Sequence, residues 1–153
     1  ITRFIKGDRY RSRLISKIMF GAYNKRIKNV RTSNDWLTRD ETVVDEYNAG
    51  KLTTFLFTVN GYRGLMNMIL YVRKPRNIAK IPKNLPMLMV SGLDDPVGEY
   101  GKGVYRAYNT YHGHIDDIDL RLFEDCRHEL CNELNKEEIY EEIYGWIMDH
   151  MNK

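Results

Sequence analysis

The sequence predicts an α/β protein whose sheet lies in the second half of the chain, behind a helical first part. Three observations carry that reading. Leu85-Pro-Met-Leu-Met-Val-Ser91 is an apolar run without alternation, bounded by Pro and Gly, the pattern of a strand covered on both faces. Ile118-Asp-Leu-Arg-Leu-Phe123 alternates and reads as a second strand. Helical periodicity falls between these strands and again after the second, an order that calls for parallel pairing.

From the start of the chain, Leu14, Ile15, Ile18, Met19 and Ala22 recur at helical spacing, which predicts a helix from about Tyr10 to Ala22. An irregular polar stretch, 24–34, follows. Thr38-Arg-Asp-Glu41 has capping-box spacing, so Thr38 is expected to cap a short helix reaching about Tyr47, with Gly50 ending it. A third helix is expected from Tyr62 to about Arg73, stopped before Pro75. After the first strand, a helix is expected over 101–111. Asn135-Lys-Glu-Glu138 then opens a last one, with Ile139, Ile143, Trp146 and Ile147 on one face. Two strands cannot bury both faces of a parallel sheet, so the chain reads as the end of a larger α/β protein.

Composition narrows the function classes. The charged fraction is 29% and the hydrophobic fraction 42%, which exclude disorder and collagen-like repeats. No apolar run approaches the roughly 18–20 residues of a membrane-spanning helix, and no signal-peptide pattern opens the chain, so a cytoplasmic protein is expected. Residues 1–31 carry ten Lys/Arg and one acid, whereas residues 116–153 carry twelve acids and four Lys/Arg. The basic opening could meet an anionic membrane surface, but a solvated helix face is favoured. No zinc-finger spacing or RNP-like motif accompanies it, and no nucleic-acid partner is expected.

The chemistry-bearing residues follow the two strands. Asp94 and Asp95 stand at the carboxyl end of the first, where open α/β sheets build their sites. His128 follows the second on a similar loop, so the acid and the imidazole can meet above the sheet edge. Cys126, His128 and Cys131, with His112 and His114, lack the tight spacing of structural zinc, and the two Cys read as buried thiols. Gly98-Glu-Tyr-Gly101-Lys-Gly103 fits no phosphate-loop pattern and reads as a turn entering a helix. Phe55, Phe57, Met66, Met68 and Tyr71 read equally as an acyl tunnel or as packed helix faces.

The run Leu85-Pro-Met-Leu-Met-Val-Ser-Gly-Leu-Asp-Asp-Pro-Val-Gly98 resembles the segment around the triad acid of α/β-hydrolases, especially the monoacylglycerol-lipase/lysophospholipase, serine-aminopeptidase-like group. Arg127-His128-Glu-Leu-Cys-Asn-Glu-Leu-Asn135 is similar to that group's histidine loop. Arg31-Thr-Ser-Asn-Asp-Trp-Leu-Thr-Arg-Asp40 and Phe57-Thr-Val-Asn-Gly-Tyr62 are similar to its lid region. The resemblance implies the C-terminal part of an α/β-hydrolase fold, with a helical lid over 1–61 and the last strands and helices of the core over 62–153. It implies Asp95 as the triad acid, with Asp94 as the fallback, and His128 as the base. No cofactor is implied. The substrate implied is lipid-like or a small ester. The four serines, Ser12, Ser16, Ser33 and Ser91, lie in no Gly-x-Ser-x-Gly elbow. The nucleophile is therefore expected on a missing N-terminal half, in the same protein or a companion chain, and residues 1–153 alone are expected to be inactive. The rival reading is a non-catalytic remnant or interaction module.

Overall fold

Short local signals set the elements of the computed structural model, which describes residues 2–151, with side chains from Phe4 onward. Helix α1 spans Thr2–Lys6, and α2 spans Arg13–Phe20. Helix α2 starts later than periodicity indicated, because the buried Ser12 side chain caps it by accepting from Ile15 N–H. Arg11 is used instead in an isolated antiparallel bridge to Thr58.

Helix α3 (Glu41–Ala49) corrects the capping-box expectation. Asp40 is the cap, accepting from Thr42 and Val43 N–H at 3.0 and 3.4 Å. The Thr38 hydroxyl donates instead to the Asn132 carbonyl, 2.7 Å away and 94 positions along the chain. Helix α4 (Val59–Val72) begins three residues earlier than expected because Thr58 caps it, and a short α5 (Pro75–Ile78) follows with Pro at its first turn.

Strands β1 (Met87–Gly92) and β2 (Ile118–Phe123) pair in parallel, Met87 opposite Ile118 through Gly92 opposite Phe123. They are the whole sheet among the described residues. Strand β1 therefore has one neighbour, and Met87–Met89 are half-buried and Val90 exposed rather than covered on both faces. Helix α6 (Lys102–His112) connects the strands, and α7 (Lys136–Met151) follows β2. Asn135 precedes α7, but its side-chain oxygen is taken by Arg39 and Cys126 rather than by a helix N–H. The core at this end is Cys126, Leu130 and Ile139, with Phe123 and Ile143 packed on it; Ile147, expected on the same face, is exposed.

Candidate active site

Both site loops leave the carboxyl ends of adjacent parallel strands, and backbone contact locks them together. Leu93 N–H donates to the Phe123 carbonyl and Asp94 N–H to the Cys126 carbonyl, each at 2.9 Å. Gly92 makes this approach possible. A Cβ there would lie 2.1 Å from the Cys126 oxygen and 2.3 Å from that of Arg127. Beyond Asp95 the chain turns through Glu99, Tyr100 and Gly101, all at positive φ. The two non-glycine residues cost about 1–2 kcal/mol each in that conformation. The Tyr100 N–H bond to the Asp95 carbonyl (2.9 Å) offsets part of it, as does the Arg26 guanidinium 3.7 Å from the Tyr100 ring centroid. The Gly98–Gly103 run is thus a turn leading into α6.

This geometry brings Asp95 and His128 together, with Oδ2 3.0 Å from Nδ1. Asp95 is buried, and its other oxygen, Oδ1, accepts from Val97 N–H at 2.7 Å. A carboxylate can only accept, so Nδ1 carries the proton and Nε2 presents its lone pair. Nε2 has no hydrogen-bond partner among the described residues, and the His128 side chain is 38% exposed. The hydrogen bond that Nδ1–H donates to Asp95 raises the imidazole pKa above 6.5, against an opposing desolvation, and the charges of Asp95 and Glu129 add to the rise. Burial raises the Tyr23 hydroxyl pKa, and the Asp95 charge raises it further. The fallback acid, Asp94, is exposed and not bonded to His128 among the described residues.

The histidine loop is held by groups that the sequence did not single out. Glu133, fully buried, accepts from Arg39 Nε (2.9 Å), from Arg39 N–H (3.3 Å) and from Arg127 N–H (2.6 Å). Arg127 reaches back to the carbonyls of Asp35 and Thr38 at 2.7 and 2.9 Å. The Trp36 ring lies 5.2 Å from the His128 ring, tilted by 45°, and Tyr23 packs edge-on against Trp36 at 4.9 Å. His128 N–H donates to the Trp36 carbonyl and Glu129 N–H to that of Leu37. The 31–40 segment thus fixes the imidazole from one side.

The remaining candidates separate. None of the four serines is hydrogen-bonded to His128 among the described residues. Ser12 caps α2, and Ser91, buried in β1, donates to the Gly92 carbonyl. Cys126 is buried, with its thiol pKa raised by burial and by Glu133, whereas Cys131 is exposed, which corrects the reading of two buried thiols. The expected tunnel residues also divide. Phe55 and Phe57 line a cleft of about 850 Å³ together with Arg13, Lys17, Phe20 and Trp36, while Met66, Met68 and Tyr71 are exposed on α4. Asp117, Asp119 and His150 gather their ligand atoms within 4.8 Å of one another, but they are already engaged: His150 Nε2 with Asp117 at 3.3 Å, and Asp119 with Trp146 Nε1 at 2.7 Å.

The fold agrees with the comparisons. The family model described as "Serine aminopeptidase, S33" matches residues 5–135. The structure is similar to that of a highly thermostable carboxyl esterase from Bacillus coagulans in complex with glycerol. The TM-score is 0.81 at 22% identity, over 99% of this chain and 49% of that one. It is also similar to a lipase in its open form, with a TM-score of 0.78 at 22% identity, over 90% of this chain and 45% of that one. The chain thus spans about half the length of these structures. No curated protein matches its sequence. No helix among the described residues is long and apolar enough to cross a membrane. With most of its length matched by the family model and nearly all of it fitting a hydrolase fold, the chain belongs to the serine aminopeptidase S33 family of α/β-hydrolases.

Proposed function

We propose that the chain supplies the acid and base of a Ser-His-Asp triad that hydrolyses carboxylic esters, and that the serine lies outside residues 1–153. The observation that carries the reading is the Asp95–His128 hydrogen bond at the ends of adjacent parallel strands. Asp95 fixes the tautomer that leaves Nε2 basic. The serine Oγ attacks the ester carbonyl while His128 Nε2 takes its proton. The imidazolium, stabilised by Asp95, then returns that proton to the departing alcohol. Water, activated by the same imidazole, attacks the acyl-enzyme, and the carboxylic acid leaves. The serine's oxyanion-hole donors belong to the same missing N-terminal half, which would also pair the free edge of β1.

The substrate proposed is a monoacylglycerol- or lysophospholipid-like ester, or a small ester, handled in the cytoplasm. The basic opening segment would provide transient contact with an anionic membrane surface. Phe4 and Ile5 on α1 and Leu14 and Ile18 on α2 are strongly exposed among its positive charges. A second reading, a non-catalytic module, draws on the absence of any serine bonded to His128 among the described residues. Turnover of a chromogenic ester by the polypeptide carrying this chain separates the two. Hydrolysis lost in His128→Ala is the result expected of the enzyme, and hydrolysis retained in that variant overturns the role of His128.

A further inference from the structure

The Asp95 hydrogen bond fixes where Nδ1 of His128 lies but leaves the imidazole free to pivot about that contact. Nε2 supplies no second restraint, having no hydrogen-bond partner among the described residues. A second hold on the ring must come from packing. Trp36 is the one aromatic side chain packed against it among the described residues, with 5.2 Å between ring centroids. The Trp36 carbonyl also accepts the His128 N–H, so one residue holds both the ring and its backbone. Trp36 is only half-buried and needs support of its own. A run of rings provides it. Tyr23 lies edge-on to Trp36 at 4.9 Å, Phe20 lies edge-on to Tyr23 at 5.8 Å, and Tyr62 is 6.4 Å from Phe20. Each step falls within the roughly 4.5–7 Å over which aromatic rings attract one another. The run ends on α4, where Tyr62 is buried. Tyr23 makes no ring contact with His128 among the described residues and does not line the cleft, so its only aromatic route to the imidazole is the indole.

We infer that Trp36 is a positioning residue for His128, and that Tyr23 acts on the imidazole through Trp36 by its ring alone. The indole keeps Nε2 aimed at one point while Nδ1 stays on Asp95, and Tyr23 braces the indole. The Tyr23 hydroxyl has no part in this. That the aligned Nε2 serves a serine rests on the proposed hydrolase function; the alignment itself does not.

The test follows the Nδ1–H proton of His128 by NMR in the polypeptide carrying this chain, so its readout is independent of turnover. Tyr23→Leu should speed exchange of that proton with water at least about tenfold, because the ring leaves Asp95 more often. Tyr23→Phe keeps the ring without the hydroxyl and should stay within about twofold of native. Trp36→Leu should speed exchange at least as much as Tyr23→Leu, and Trp36→Phe should fall between native and Trp36→Leu. Adding Tyr23→Leu to Trp36→Leu should change nothing further, since residues that act through one contact are not additive. The Trp146 indole N–H, bonded to Asp119, should keep its position throughout and reports that the fold is intact. In ester turnover, Tyr23→Leu should lower kcat roughly 10–100-fold with KM within about twofold, because the cleft wall is untouched. Absence of turnover counts against the hydrolase reading and leaves the exchange result standing. Exchange unchanged in Trp36→Leu overturns the inference. So does equal acceleration in Tyr23→Phe and Tyr23→Leu, an additive double variant, or a proton that already exchanges freely in the native protein.

Discussion

Gly92 and Cys126 stand so close that the Cys126 carbonyl oxygen occupies the space a side chain at Gly92 would need, 2.1 Å from the position of its Cβ. This contact, more than any side-chain interaction, joins the loop after β1 to the loop after β2 and so brings Asp95 under His128.

Replacing Gly92 with Ala should force the two loops apart. The neighbours it meets are backbone atoms of Cys126 and Arg127, which cannot rotate away. A loss of at least about 1–3 kcal/mol is expected from overpacking alone, measured by chemical denaturation. The Asp95–His128 bond should be lost with it, seen as a fall in the His128 pKa.

Glu133 should matter to the histidine loop although it touches neither member of the pair. Glu133→Ala removes three hydrogen bonds at once and leaves Arg39 without its carboxylate. A loss of about 2–4 kcal/mol is expected, below the usual 3–5 for a buried pair because the Arg39 side chain is 28% exposed. Equilibrium denaturation of the two proteins measures it.

The titration of His128 has a definite direction. Asp95 raises its pKa above 6.5, so the stabilisation from that ion pair is full below about 6.5 and is lost as pH rises through the raised value. The difference in Tm between the native protein and Asp95→Asn should therefore be largest at mildly acidic pH and shrink as the solution turns alkaline. In the proposed triad the neutral Nε2 is the form that takes the serine proton, so the acid limb of turnover should lie above pH 6.5 and move down in Asp95→Asn. An NMR titration of the His128 ring checks the shift directly.

Asp95→Asn should lower kcat by about 10⁴-fold with little change in KM, because the amide holds the imidazole in the wrong tautomer without emptying the cleft. Asp94→Asn, at an exposed position away from His128, should leave both nearly unchanged. Steady-state kinetics on the polypeptide carrying this chain distinguishes the two acids.

Much of this was legible locally. The apolar run ending at Ser91 and the alternation from Ile118 to Phe123 mark both strands, and β2 has the expected limits. The acid and the histidine each follow a strand, which is enough to pair them. The parts that escaped are those made by distant partners. Thr38 has the spacing of a cap, yet a carbonyl 94 residues away takes its hydroxyl. Arg39 and Glu133 bind each other across the same distance, and Trp36 meets His128 only in three dimensions. Met66, Met68 and Tyr71 share apolar character with Phe55 and Phe57, but the turn of α4 sends them to the surface. No local pattern distinguishes these outcomes, because the competing partner lies elsewhere in the chain.

The most direct test of the central claim is labelling of the polypeptide carrying this chain with a fluorophosphonate probe, followed by peptide mapping of the adduct. The account expects one labelled serine outside residues 1–153, with labelling lost in His128→Ala. An adduct on Ser12, Ser16, Ser33 or Ser91, or labelling undiminished in the His128 variant, would contradict it.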